Sequence, residues 1–279
     1  MRELFEEAGA QGFVHAREVD GDREVGLGAD DGVVLASVFK IPIVLEYARQ
    51  AAAGAIERTE RLTVTAADKD GGIGTSGCAD DVSLTLRDLA HFMMTMSDNA
   101  ATDVLLRKVG CDRVNATLAE LGLKRTRLVG GCSDLFASIT EELGGADLEG
   151  VSEDQIRALS VHDPERTSGS TPRETTTLLS AIWRDEAGPP EACAEVRTIM
   201  GNQVWPHRLS SGFDDEVKVS AKTGTLWGIR NEAGVVEYPD GKRYAVAVFV
   251  RTHSLAYRLP KADAVIGRAA RLAIDQLRV

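Results

Sequence analysis

Four cysteines in 279 residues, with no C-x-x-C pair and no Cys/His spacing suited to zinc, argue against a metal site and against a disulfide framework. Cys78, Cys111, Cys132 and Cys193 read as small buried hydrophobes, with one disulfide of unassigned partners as the alternative. Positive charge is also scarce. The 32 Lys and Arg face 43 Asp and Glu, a formal net charge of −11, which disfavours nucleic acid and anionic membrane as partners because both are themselves negative. No apolar run is long enough to span a bilayer, and Met1-Arg2-Glu3-Leu4-Phe5-Glu6-Glu7 carries acids where a secretory leader would carry its apolar core. The protein is therefore expected either in the cytoplasm or as an exported protein lacking its signal. His15, His91, His162, His207 and His253 are scattered, offering no H-E-x-x-H helix and no triad partner. No Gly-Lys-Ser/Thr follows the glycines between Gly71 and Gly77, so that stretch reads as a flexible loop near a site rather than a phosphate loop. Neither a Pro/Gly/Ser-rich linker nor an internal repeat divides the chain.

What is present is a change of periodicity. Residues 12–19 and 24–27 alternate as a hairpin around Asp20-Gly21-Asp22, and residues 216–220, 232–238 and 243–251 read as three further strands, the last two joined at Pro239-Asp240-Gly241. Between them lie helical patterns over 38–53, 86–95, 100–109, 113–121, 173–185 and 191–200, and residues 261–277 close the chain as an amphipathic helix. Met93, Met94 and Met96 are assigned to the helical core. Two distant strand groups separated by helices predict an α/β (α+β) fold: one antiparallel sheet closed by both termini with flanking helices, plus an inserted all-helical lobe. The corresponding division is 1–35 with 206–279 as a discontinuous sheet lobe and 36–205 as the helical lobe, with the site in the cleft between. Residues 129–171, rich in glycine and acids, read as a long loop with a short helix near 153–159.

Three short motifs carry the chemistry: Ser37-Val38-Phe39-Lys40, Ser97-Asp98-Asn99 and Lys222-Thr223-Gly224, each occurring once. A serine hydroxyl needs a neighbouring base, and a lysine three residues on shares its helix face and serves once its ammonium loses a proton. In order and spacing the trio resembles the class A β-lactamase family of penicillin-recognising serine enzymes. The resemblance covers most of the chain, including Gly12 to Glu18 with Leu27-Gly28, Ala100 to Leu106, Thr171-Pro172-Arg173 and Gly228-Ile229-Arg230-Asn231-Glu232.

The resemblance implies a hydrolase that opens the β-lactam ring through an acyl-enzyme on Ser37, with Lys40 as base and Ser97 relaying a proton to the leaving nitrogen. Asn99 would orient the substrate amide, and Asp98 is read as structural. Lys222 would hold the substrate carboxylate and depress the pKa of Lys40 by repulsion. Thr223 and Thr225 would present donors along an edge strand, with the amides of Ser37 and Thr225 as the oxyanion hole. Gly224 would let substrate approach the backbone, and Arg230 would complete the carboxylate clamp. The substrate is expected to be a small β-lactam or related carboxylate-bearing acyl compound, bound by a monomer without any cofactor or metal. A D-alanyl peptidase or esterase, and a covalent β-lactam binder with slow deacylation, are the alternatives.

One segment departs from the family pattern. Aligning Leu128 and Leu135 puts Cys132 where the family has the glutamate that activates the deacylating water, and Phe136 where it has an asparagine. A thiol is a poor base for water. Asp134, and after it Glu141, Glu142 or Asp163, are candidates for a shifted carboxylate, each individually better read as a solvated acid.

Overall fold

Residues 244–250 are apolar at every position, and a strand of that kind needs cover on both faces. The computed structural model, which describes residues 1–69, 71–145 and 150–279, provides it. The strands are β1 (Ala10–Glu18), β2 (Glu24–Leu27), β3 (Val33–Val34), β4 (Arg61–Val64), β5 (Val82–Thr85), β6 (Gly169–Ser170), β7 (Lys218–Leu226), β8 (Ile229–Glu237) and β9 (Arg243–Thr252). The helices are α1 (Arg2–Glu7), α2 (Lys40–Ala52), α3 (Leu86–Thr95), α4 (Asn99–Val109), α5 (Cys111–Glu120), α6 (Cys132–Glu142), α7 (Glu153–Ala158), α8 (Pro172–Trp183), α9 (Pro190–Met200) and α10 (Pro260–Leu277). Five strands form one antiparallel sheet in the order β2-β1-β9-β8-β7, so both termini do build it. β9 is central, and β7 is a free edge.

Period-two alternation sorts the side chains. Val14, Val246 and Val248 pack with Phe5 of α1 and Val265, Ile266 and Ile274 of α10 on one face. Phe13, Ala245, Ala247 and Phe249 turn the other way, into the larger core shared with α2, α8 and α9. Helix α10 shows its apolar stripe at Val265, Ala269, Ala273 and Leu277, the spacing expected of a helix with one buried side. No described helix is long and apolar enough to cross a membrane.

Several expected boundaries move. Strand β7 continues through the third motif to Leu226 because β8 pairs it along its whole length, as far as Leu226 opposite Ile229. The stretch 129–171 holds a full helix, α6, where a loop was expected, together with the short α7; residues 146–149 of it lie outside the described residues. α6 begins where the Asp134 carboxylate accepts the Gly131 N–H at 2.7 Å, while Asp103 on α4 accepts the amides of Cys132 and Ser133 at 2.6 and 2.9 Å. Those are the orphan donors of a helix start, satisfied partly from another element. All four cysteines are free: Cys132 and Cys193 are buried, but Cys111 is half-buried and Cys78 is exposed, against the expectation for a small hydrophobe. Met93 and Met94 are in the core, whereas Met96 lines the cleft.

Among the polar contacts between the sheet and α8, one is a buried hydrogen bond between side chains. His15 on β1 is 1% exposed and shares a 2.6 Å hydrogen bond between its Nδ1 and the Thr176 hydroxyl, with Arg173 beside its other nitrogen. Burial, and then the Arg173 charge, push its pKa down to about 4, with Glu24 opposing. The unfolded chain therefore binds a proton that the native state refuses between about pH 6.5 and pH 4, so stability is full above that window and falls as the pH drops through it. The expected loss reaches about 3 kcal/mol at the acid end. Thermal unfolding at pH 7 and pH 5 should show a larger drop in midpoint for the parent than for His15→Asn. Parallel profiles would assign the acid sensitivity elsewhere.

Candidate active site

The nucleophile turn is forced into place by its neighbours. Ala36 has φ +44°, a left-handed conformation unusual for a residue with a Cβ, and residues Ala36–Phe39 form a 3₁₀ turn that leads into α2. Ser37 therefore lies on the turn and Lys40 at the first position of the helix, so the helical pattern expected from residue 38 begins as 3₁₀. In 3₁₀ geometry positions three apart eclipse, which aligns the two side chains. Asn231, buried within β8, grips the turn: its Nδ2 donates to the carbonyls of Val34 at 2.9 Å and Leu35 at 3.2 Å. A Cβ on Gly224 would stand 2.7 Å from the Leu35 carbonyl oxygen and 3.2 Å from the Ser37 amide nitrogen. The expected reason for Gly224 was close approach of substrate. The structure supplies another: β7 and the nucleophile turn touch backbone to backbone there.

Lys40 is fully buried. Its Nζ donates to the Ser97 carbonyl at 2.8 Å, the Ser97 hydroxyl at 3.2 Å and Asn99 Oδ1 at 2.9 Å. Burial lowers its pKa, and the negative charge available at Cys132, Asp98 and Asp103 works against that. Ser97 sits at φ +65°, held in that left-handed conformation by the lysine that bonds it twice. Asp98 earns its structural reading. It accepts the Thr75 amide at 2.5 Å, the Thr75 and Ser76 hydroxyls at 2.7 and 3.2 Å, and the Ala101 amide at 3.0 Å, pinning the glycine-rich loop to the start of α4. Asn99 Oδ1 also accepts the Cys132 thiol at 3.3 Å, so the oxygen is committed and the amide NH2 is left for the cleft.

Lys222 is equally buried, its Nζ donating to the Thr223 carbonyl at 2.9 Å. Burial, then repulsion from Lys40, hold its pKa well below the usual lysine range, with Glu232 opposing. Burial is the first cause at both lysines, and the repulsion expected to act on Lys40 acts on Lys222 instead. Gln203 joins the edge to the buried acid: its Oε1 accepts the Thr223 amide at 2.8 Å and its Nε2 donates to Glu232 at 2.5 Å. Since Thr223 directs its N–H off the free edge of β7, the Thr225 N–H two residues on leaves the same edge. Ser37 and Thr225 line the same cleft.

Two of the arginines lining the cleft differ in what they hold. Arg230 borders the cleft, but it spends its guanidinium on the carbonyls of Leu226, Ile229, Ala256 and Tyr257, which makes it a strut for the loop after β9. Arg208 was overlooked. Buried under β7, it donates to the Gly224 and Asn231 carbonyls at 3.0 Å each and to the Thr225 hydroxyl at 2.8 Å, and it pairs with Asp263 at 2.7 Å. Its signal in sequence was only a cation in the irregular Trp205-Pro206-His207-Arg208 stretch; Asn231-Glu232, a polar pair inside an apolar strand, was the clearer unread sign.

Cys132 does reach the site, against Asn99 and within the influence of Lys40, with burial pushing its thiol up to about 11. None of the proposed replacement carboxylates joins it. Asp134 is exposed and caps Gly131; Glu142 binds the backbone and hydroxyl of Ser160; Asp163 accepts from Glu165; Glu141 is exposed. The cleft itself is a cavity of about 670 Å³, with Ser37, Ser97, Asn99, Thr223 and Thr225 on its walls beside Ile73, Trp205 and Tyr257.

A family model described as the β-lactamase enzyme family matches residues 1–277. The β-lactamase regulatory protein BlaB of Streptomyces cacaoi is 27% identical over 301 aligned positions, covering 100% of this chain and 96% of that protein. A β-lactamase from Sphaerobacter thermophilus DSM 20745 has a crystal structure similar at TM-score 0.78 and 26% identity, over 98% of this chain and 95% of that one. The fold is shared too with PBP-A, at TM-score 0.78 and 20% identity over 99% and 96% of the two chains, in a mutant described as an acyl-enzyme complex with penicillin-G.

The close approach at Gly224 makes a direct prediction. Gly224→Ala should fold, yet push the Ser37 turn from β7 by a fraction of an ångström and slow Ser37 acylation by about a hundredfold. Single-turnover acylation by a penicillin measures it; a rate within threefold of the parent would show that the turn tolerates the displacement.

Proposed function

The chain belongs to the β-lactamase enzyme family, and from the geometry of its cleft we propose that it opens β-lactams by acylating Ser37 and releases the product slowly. The Ser37 hydroxyl attacks the lactam carbonyl, its proton passing to neutral Lys40. Ser97, bonded to Lys40 at both its hydroxyl and its carbonyl, carries a proton to the departing lactam nitrogen. The amides of Ser37 and Thr225 receive the developing oxyanion. Lys222, Thr223, Thr225 and Arg208 form the carboxylate end, with Arg208 in the role expected of Arg230. A buried ammonium that burial and like charge both disfavour gains most from an incoming anion. The protein acts on a small substrate as a monomer, and its net charge of −11 supports neither nucleic acid nor membrane as partner.

The observation that carries the slow second half is Cys132. A thiol with its pKa near 11 is neutral at pH 7 and cannot take a proton from water as a carboxylate does. Asp103 and Asp98, the acids whose charge reaches Lys40, are both engaged by backbone amides. This also supports the second reading, a covalent β-lactam binder.

Incubation with a penicillin should add one adduct mass, mapped to Ser37 and absent in Ser37→Ala. Product release should show a burst of about one equivalent followed by slow turnover, and Cys132→Glu should accelerate deacylation by about a hundredfold. Fast steady-state hydrolysis by the parent would contradict this reading of Cys132.

A further inference from the structure

Beyond the carboxylate end, the cleft is bordered by the 254–259 loop, which Arg230 holds directly and Arg157 holds at the residues just before it. Arg230 donates to the carbonyls of Ala256 at 3.2 Å and Tyr257 at 2.8 Å, and Arg157 donates to those of Thr252 at 3.4 Å and His253 at 2.5 Å. The Thr252 hydroxyl donates to the Ser254 carbonyl at 2.6 Å. Holding the backbone by its carbonyls leaves the side chains of residues 257 and 258 to the cleft they line. Tyr257 is 87% exposed, unusual for so large a ring. Arg258 is exposed as well. The one acid among the lining residues, Asp263, is already shared by Arg208 at 2.7 Å and Arg230 at 3.8 Å. Arg258 is thus a lining cation with no carboxylate partner among the described residues.

Chemistry defines what this pair would touch. Arg208 and Asp263 link β7 to the start of α10, and residues 257–259 line the cleft just before that start. In a cephem the C3 substituent is attached next to the carbon that bears the carboxylate, so a group bordering the carboxylate end meets that substituent. We propose that Arg258, with Tyr257 as an aromatic wall, is a second anion subsite that selects β-lactams carrying an acidic aryl substituent on the fused ring beyond their carboxylate. The chemistry is specific. A guanidinium pairs with a second carboxylate, and the aryl group stacks on the exposed ring. The substituent is not bonded in the reaction, so the pair acts through binding and orientation.

This inference rests on the acylation of Ser37, and the test separates the two. Three cephalosporins are compared by the second-order rate constant for acylation: one with a carboxyphenyl group on its C3 side chain, the methyl ester of that distal carboxylate, and one with methyl at C3. The parent should favour the acid over its ester, and the preference should shrink as ionic strength rises. Arg258→Ala should cut the acid rate about fivefold and leave the ester and the C3-methyl compound unchanged, while Arg258→Glu should reverse the preference. Tyr257→Ala should slow both aryl compounds relative to the C3-methyl one. Equal rates for acid and ester in the parent, or equal losses on both in Arg258→Ala, would overturn the subsite while leaving the acylation reading intact. No adduct on Ser37 from any of the three would overturn both.

Discussion

Two fully buried lysine side chains in one cleft are the constraint around which this structure is arranged. An ammonium removed from water is costly unless its protons are bonded or it gives one up. Lys40 meets the first condition with three oxygen acceptors, and burial prepares it for the second. Lys222 is less well supplied: one backbone carbonyl, with Glu232 as countercharge and Lys40 and Arg208 opposing it. Lys222 is therefore electrostatically under-compensated by the protein's own groups, which is what supports a substrate carboxylate as its partner in the proposed function. Such a local arrangement would let an acidic protein bind an anion, which net charge alone would not forecast.

The surrounding framework holds those lysines by fixing backbone. Asn231 fastens the turn before Ser37, Gly224 allows β7 to lie against that turn, Arg208 fastens β7 to α10, and Asp98 fastens the glycine-rich loop to α4. Each of these polar groups is buried, and each would be expensive if left unpaired. The stability of the cleft and the placement of its reactive atoms thus depend on the same hydrogen bonds.

The fold was largely legible because its elements follow their own periods. β9 and α10 announce themselves by alternation and by an apolar stripe, and the three motifs locate the nucleophile, its lysine and the edge strand. What was not legible is held by distant partners. α6 has apolar positions at Leu135 and Ile139, but glycines flank it on both sides, and two of its first amides are accepted by Asp103 on α4, so its start cannot be read locally. The end of β7 has no apolar alternation and is a strand because β8 pairs it. Arg208 and Arg230 are both cations near one strand pair, and only geometry shows that one faces β7 while the other supports a loop.

In the proposed cycle, Cys132 bears differently on acylation and on deacylation. A carboxylate at that position would sit near Lys40 and stabilise its ammonium, raising the pKa of the very group that must deprotonate to activate Ser37. At Lys40 burial lowers the pKa and Cys132 is first among the groups that oppose it, so the thiol tempers the effect of burial without cancelling it. In the proposed cycle acylation thus keeps its base, while deacylation has no carboxylate at this position to activate water. The thiol still donates to Asn99, so the amide that receives the substrate stays oriented. On the proposed reading, the site captures a β-lactam more readily than it releases it.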